Sequence, residues 1–155
     1  MKFQLLIIVL AALAVSCVSP KHSKKEMNKE HLTYFSFDHH SSMLAQNGER
    51  YNVGIMQDGK VHLVINEGLP NEKEFYLDDT TIFDDLLVIV KTYEMDKYKA
   101  DYRPEIEAYD GDSWTLYYMY DTKRSVSSGG YMEWPDNYRQ MRQALSEYFQ
   151  KWREK

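Results

Sequence analysis

The sequence predicts an α+β fold, a two-layer domain in which an antiparallel sheet of about four to six strands carries two helices packed on it. Three observations lead there. Trp114, Leu116, Tyr118 and Tyr120 alternate with Thr115, Tyr117 and Met119, the period of a half-buried strand. Alternating apolar residues between Arg50 and Asn66 flank Asp58-Gly59, a hairpin signal. Beyond Pro135, the residues Tyr138, Met141, Leu145, Tyr148, Phe149 and Trp152 fall at helical spacing. They make one aromatic-rich stripe that needs a sheet to cover.

The chain opens with Met1-Lys2 and an apolar run from Leu5 to Val15. A bilayer span takes about 20 residues, so this run is too short to cross and fits the core of a secretory signal. Leu13-Ala14-Val15-Ser16-Cys17 resembles a bacterial lipobox, with Ala14 where leucine is usual. Cys17 is the single cysteine of the protein and has no internal disulfide partner. The resemblance implies cleavage before Cys17 and acylation of its thiol. An ordinary secretory signal with an incidental cysteine is the alternative. Each buried CH₂ contributes about 0.8 kcal/mol, so one acyl chain holds marginally while two or three anchor a protein to a membrane. Val18-Ser19 follow with no aspartate at the second position. By the same resemblance this favours the outer over the inner membrane of a bacterial envelope. The expected organisation is a signal peptide (1–16), a lipidated cysteine with a polar, lysine-rich tether (17–30) and one domain (31–155).

Within the domain, His31 to Asp38 reads as a first strand, and Asn47-Gly48 closes a polar stretch as a turn. In the hairpin a three-residue loop, Gln57-Asp58-Gly59, pairs Ile55 with Val61, Val53 with Leu63 and Tyr51 with Ile65. That register gathers the apolar residues on one face, whereas a two-residue loop scatters them over both. Gly59 then takes the left-handed position of a type I turn with a bulge. After a loop to Glu74, Phe75–Leu77 makes a short strand. Asp78, Asp79 or Thr80 caps a helix running to about Tyr93. Ile82, Phe83, Leu86, Leu87, Val90 and Tyr93 form its inner face. Val88 and Ile89 widen it, which predicts that this helix is more buried than the last one. Met95 to Glu107 reads as irregular, with Pro104 excluding a long helix. Asp110-Gly111-Asp112 turns into the strand at Trp114, and Ser125–Tyr131 is its neighbour.

Losing Lys2 with the signal takes the net charge from −5 to −6. An acidic domain without a basic stripe is a poor nucleic-acid partner. Asp38-His39-His40 offers two imidazoles, but neighbours on a strand point to opposite faces, and no metal-ligand spacing joins them to His31 or His62. The expectation is solvated histidines at a strand end, with no metal. Asp110 to Ser113 lacks the rest of a calcium loop, because Asp121 stands where the closing glutamate belongs. There is no G-x-S-x-G elbow, and Ser125, Ser127 and Ser128 have no histidine near them in sequence. Asp78-Asp79 and Asp84-Asp85 suit a helix start. No catalytic residue and no cofactor is expected. Aromatics are 14% of the chain, and a small domain without disulfides uses them to fill its core. Tyr117 and Tyr131 stand off the apolar parity, and Trp134 lies in a loop. These three are the candidate ligand contacts, suited to stacking on a sugar or anchoring a protein interface.

The C-terminal half resembles a group of small uncharacterised lipoproteins of Bacteroidetes-type bacteria. The residues that carry the resemblance are Asp110-Gly111, Ser113-Trp114, Ser128-Gly129-Gly130-Tyr131, Pro135, Tyr138 and Tyr148-Phe149. It extends over Leu77 to Lys155 and the lipobox. It implies the address and the fold, and brings no activity with it. The expected function is that of a membrane-anchored envelope lipoprotein, a non-enzymatic binding or structural module with a protein or glycan partner. The alternative is an immunity or hydrolase-inhibitor lipoprotein.

Overall fold

The computed structural model describes residues 30–42, 48–106 and 110–155. Cys17 and the signal segment lie outside the described residues. Among the described residues, seven strands form one sheet: β1 (Leu32–Ser41), β2 (Glu49–Ile55), β3 (Val61–Ile65), β4 (Lys73–Leu77), β5 (Asp101–Tyr102), β6 (Asp112–Tyr120) and β7 (Ser125–Tyr131). Two helices, α1 (Thr81–Thr92) and α2 (Tyr138–Arg153), and a 3-10 turn at Met95–Lys97 accompany it. The strand order is β4-β3-β2-β1-β6-β7-β5. All neighbours are antiparallel except β5, which runs parallel to β7.

The α+β architecture with helices on a sheet is as expected, but the sheet has seven strands rather than about four to six. The seventh is β5, inside the segment read as irregular. Two residues carry no periodicity, and β5 exists only because Asp101 and Tyr102 meet Gly129 and Gly130. The β2–β3 register matches the three-residue loop: Ile55 opposes Val61, Val53 opposes Leu63 and Tyr51 opposes Ile65. Gly59 sits at φ +85°, and the Met56 amide and Lys60 carbonyl close the loop at 2.8 Å. Val53, Val61, Leu63, Tyr51 and Ile65 are buried, while Ile55 at the hairpin's end is exposed.

A second difference concerns β1, which continues to Ser41 rather than ending at Asp38. His39 and His40 are therefore strand residues on opposite faces. The pair expected to be solvated is split, with His39 only 5% exposed and His40 on the surface. A histidine lies inside because Tyr138 gives its ring a polar partner there.

On the inner face Phe35, Phe37, Trp114, Leu116, Tyr118 and Tyr120 are buried, as the alternation predicts. Both helices pack on this face. In α1, Ile82, Phe83, Leu86 and Val90 point inward, but Val88 is 66% exposed. Val88 therefore does not widen the buried face, although Leu87 and Ile89 pack partly against the core, and α1 is not the more buried helix. Its sheet-facing stripe is one side only, and Val88 lies off it. The first N–H of α1, at Thr81, bonds the Asp79 carboxylate at 2.6 Å. In α2, Tyr138, Met141, Leu145, Phe149 and Trp152 are buried, each contributing about 1.5–3 kcal/mol. Phe149 stacks on Tyr51 with ring centroids 4.2 Å apart. Pro135 precedes the first turn of α2, its carbonyl accepting the Tyr138 N–H at 3.0 Å.

With both helices on one side, the other face of the sheet is free of them. By register it carries Tyr34, Ser36, Asp38 and His40 of β1 and Arg50, Asn52 and Gly54 of β2. Ser113, Thr115 and Tyr117 of β6, with Ser127, Gly129 and Tyr131 of β7, continue it.

Candidate functional site

The helix-free face is where the structure places two of the three candidate contacts. Tyr117 is 37% exposed and meets Tyr34, diagonal to it on β1, edge to face at a centroid distance of 5.7 Å. Tyr34 in turn covers Gly54, where an added Cβ would come within 3.3 Å of its ring. Tyr131 lies on the same face, opposite Ser113. Trp134 does not join them. Met132, at φ +54°, turns the chain back over Trp114, whose indole N–H bonds the Glu133 carbonyl at 2.9 Å. Trp134 therefore arrives on the helix side, half-buried, with its ring 6.3 Å from that of Tyr138. Its own indole nitrogen is sealed from solvent without a hydrogen bond.

Beside Tyr131 the face sinks into a hollow of about 370 Å³, within the usual range of small-ligand pockets. Its floor includes Gly129 and Gly130, which bring no side chains, and its walls include Ser113, Thr115 and Tyr131. The Asp101–Arg103 ion pair, at 2.9 Å, stands at the β5 edge. Gly130 is fixed by packing, since a Cβ there would fall 2.4 Å from the Trp114 indole nitrogen and 2.5 Å from the Glu133 carbonyl.

A chain of polar contacts crosses the same face toward the hollow. Arg50 Nε lies 2.7 Å from Asp38 Oδ2. Asp38 Oδ1 lies 2.9 Å from His40 Nδ1. His40 Nε2 lies 2.8 Å from the Ser113 hydroxyl. Direct register makes it: Arg50 opposes Asp38 and Ser113 opposes His40. No spacing along the chain shows this pair, because 73 residues separate them. Only strand pairing brings them together.

Further along the face, the His62 ring stacks on Tyr76 at 4.9 Å, and Glu74 holds both, at 2.6 Å from His62 Nε2 and 2.7 Å from the Tyr76 hydroxyl. Those hydrogen bonds, from Tyr76 first and then His62, hold the Glu74 carboxyl below its ordinary range. No group among the described residues has the makings of a metal site.

Two polar clusters lie on the helix side. Tyr118 and Tyr120 both donate to Asp96 Oδ1 at 2.9 Å, and Lys91 and Arg124 reach the same carboxylate. Burial alone would raise the Asp96 pKa, but these hydrogen bonds outweigh it and hold the group down at about 2. Arg124 also grips Glu30 at 2.6 Å. The second cluster is a groove of about 320 Å³ lined by His39, Trp134, Tyr138, Arg139 and Arg142 with two aspartates.

Comparison of the chain with known protein families, curated proteins and solved structures finds no match.

Proposed function

We propose that the chain is a lipid-anchored envelope protein whose domain binds a glycan on the helix-free face of its sheet. The address rests on the lipobox-like Leu13 to Cys17 segment behind a short apolar core. No helix among the described residues is long and apolar enough to cross a membrane. The binding reading rests on one observation, the chemistry of the face around Tyr117. Tyr34, Ser36, Thr115, Tyr117, Ser125 and Ser127 are contiguous by register on three adjacent strands and carry no charge, in a protein that is 28% charged residues. Exposed aromatic rings stack on the apolar faces of sugars, and hydroxyls exchange hydrogen bonds with theirs.

Binding to a panel of neutral oligosaccharides, read by calorimetry on the full chain, tests the ligand. Tyr117→Ala should weaken binding roughly tenfold, the worth of one aromatic contact, while Trp134→Phe leaves it unchanged. A folded protein that binds none of them overturns the glycan reading. Mass spectrometry of the native protein tests the address: residues 1–16 should be absent and Cys17 should carry lipid, with Cys17→Ala left uncut. A soluble, unlipidated mature form cut elsewhere overturns it.

A further inference from the structure

The Arg50–Asp38–His40–Ser113 chain has the order of contacts that activates a serine nucleophile, and this goes beyond the binding reading above. We infer that Ser113 is a nucleophile activated by His40, acting on an ester of a short acyl group placed in the adjoining hollow.

The tautomer comes first. Asp38 is an acceptor only, so His40 places its proton on Nδ1, at 2.9 Å from Asp38 Oδ1. Nε2 then carries the lone pair and accepts the Ser113 hydroxyl at 2.8 Å. That is the base-ready form, with nucleophile, base and orienting carboxylate in the relation that defines such triads by geometry rather than by sequence order. Arg50 Nε lies 2.7 Å from Asp38 Oδ2 on the next strand, an ion pair without hydrogen-bond geometry. All four residues sit on paired strands, which hold side chains more exactly than loops do. His40 is solvent-accessible, with its side chain 48% exposed, and Ser113 lines the hollow.

The step balances with water as co-reactant. Ser113 Oγ attacks the ester carbonyl carbon while His40 Nε2 takes the hydroxyl proton. The bond from carbon to the alcohol oxygen breaks, and His40 passes the proton to the departing alkoxide. Water, deprotonated by His40, then attacks the acyl-serine, releases the acid and restores Ser113. The terminal nitrogens of Arg103, on the rim of the same hollow, carry no hydrogen bond among the described residues. Lining the same hollow as Ser113, they are available to donate to a developing oxyanion. Asp38 acts through His40 and is a positioning residue.

The test is labelling of the full chain with a fluorophosphonate, in which a Ser Oγ–P bond forms and fluoride leaves, alongside turnover of p-nitrophenyl acetate. The adduct is expected on Ser113. Ser113→Ala should abolish it, and Ser146→Ala, a serine of α2 without a histidine partner, should not. His40→Gln should slow labelling by about 10²–10⁴-fold. Charged groups facing His40 are Asp38 on its own strand and Arg50 on β2, with Ser113 facing it from β6. Asp38→Asn removes the carboxylate that orients His40 and should slow labelling, while Asp38→Glu should restore part of the rate, a rescue that lost packing alone does not produce. Melting curves show whether each variant is folded. A folded wild-type chain that gives no adduct on Ser113, or a labelling rate unchanged in His40→Gln, overturns the inference.

Discussion

His39 Nδ1 and the Tyr138 hydroxyl meet at 2.9 Å inside the core, joining the middle of the sheet to the first turn of α2. Both groups pay for the same burial. Desolvation first, and then the Arg142 charge, push the His39 pKa below its ordinary value of 6.5. Desolvation raises that of Tyr138. The imidazole is therefore folded in its neutral form. As pH falls through 6.5 the unfolded chain takes up a proton that the folded chain refuses, so stability drops until the lowered folded value is passed. His39→Gln should flatten this part of the curve of melting temperature against pH. A slope unchanged by the substitution would show that other groups set it.

Asp96 works with the opposite sign. Its folded pKa, at about 2, lies below the ordinary 3.8. The stability it contributes is present above 3.8 and is lost as pH falls from there toward about 2. Asp96→Ala removes the acceptor of two buried phenols, Tyr118 and Tyr120. Each unsatisfied hydroxyl costs about 1–3 kcal/mol, and chemical denaturation should show a loss of that order. It should also erase the acid-side decline in that window. A variant as stable as the parent would mean that water replaces the carboxylate at no cost.

Gly59 separates backbone strain from packing. Its φ is +85°, and an added Cβ meets nothing within 4 Å. Gly59→Val therefore costs only the left-handed conformation of a β-branched residue, on the order of 1–2 kcal/mol. Gly59→Asn should cost less, because asparagine tolerates that region. Equal melting temperatures for the three proteins would sink the strain account.

The periodic elements were legible in the sequence because their determinants are local. Alternation set β6 and the inward parity of Trp114 to Tyr120, spacing set the buried stripe of α2, and the need to gather apolar residues on one face set the β2–β3 register. Alternation likewise put Tyr117 and Tyr131 off the buried parity. Nothing local separates them from Trp134, since one residue at positive φ, Met132, decides which side the chain returns to. Tertiary pairing alone created β5, whose two residues have no pattern of their own. It also carried β1 past Asp38, because Trp114, Ser113 and Asp112 of a distant strand were there to receive His39, His40 and Ser41. The meeting of Ser113 with His40 belongs to the same class. A hydrogen-bonded ladder fixes which residues face each other across many tens of residues of chain, and no spacing along one strand records what stands on the next.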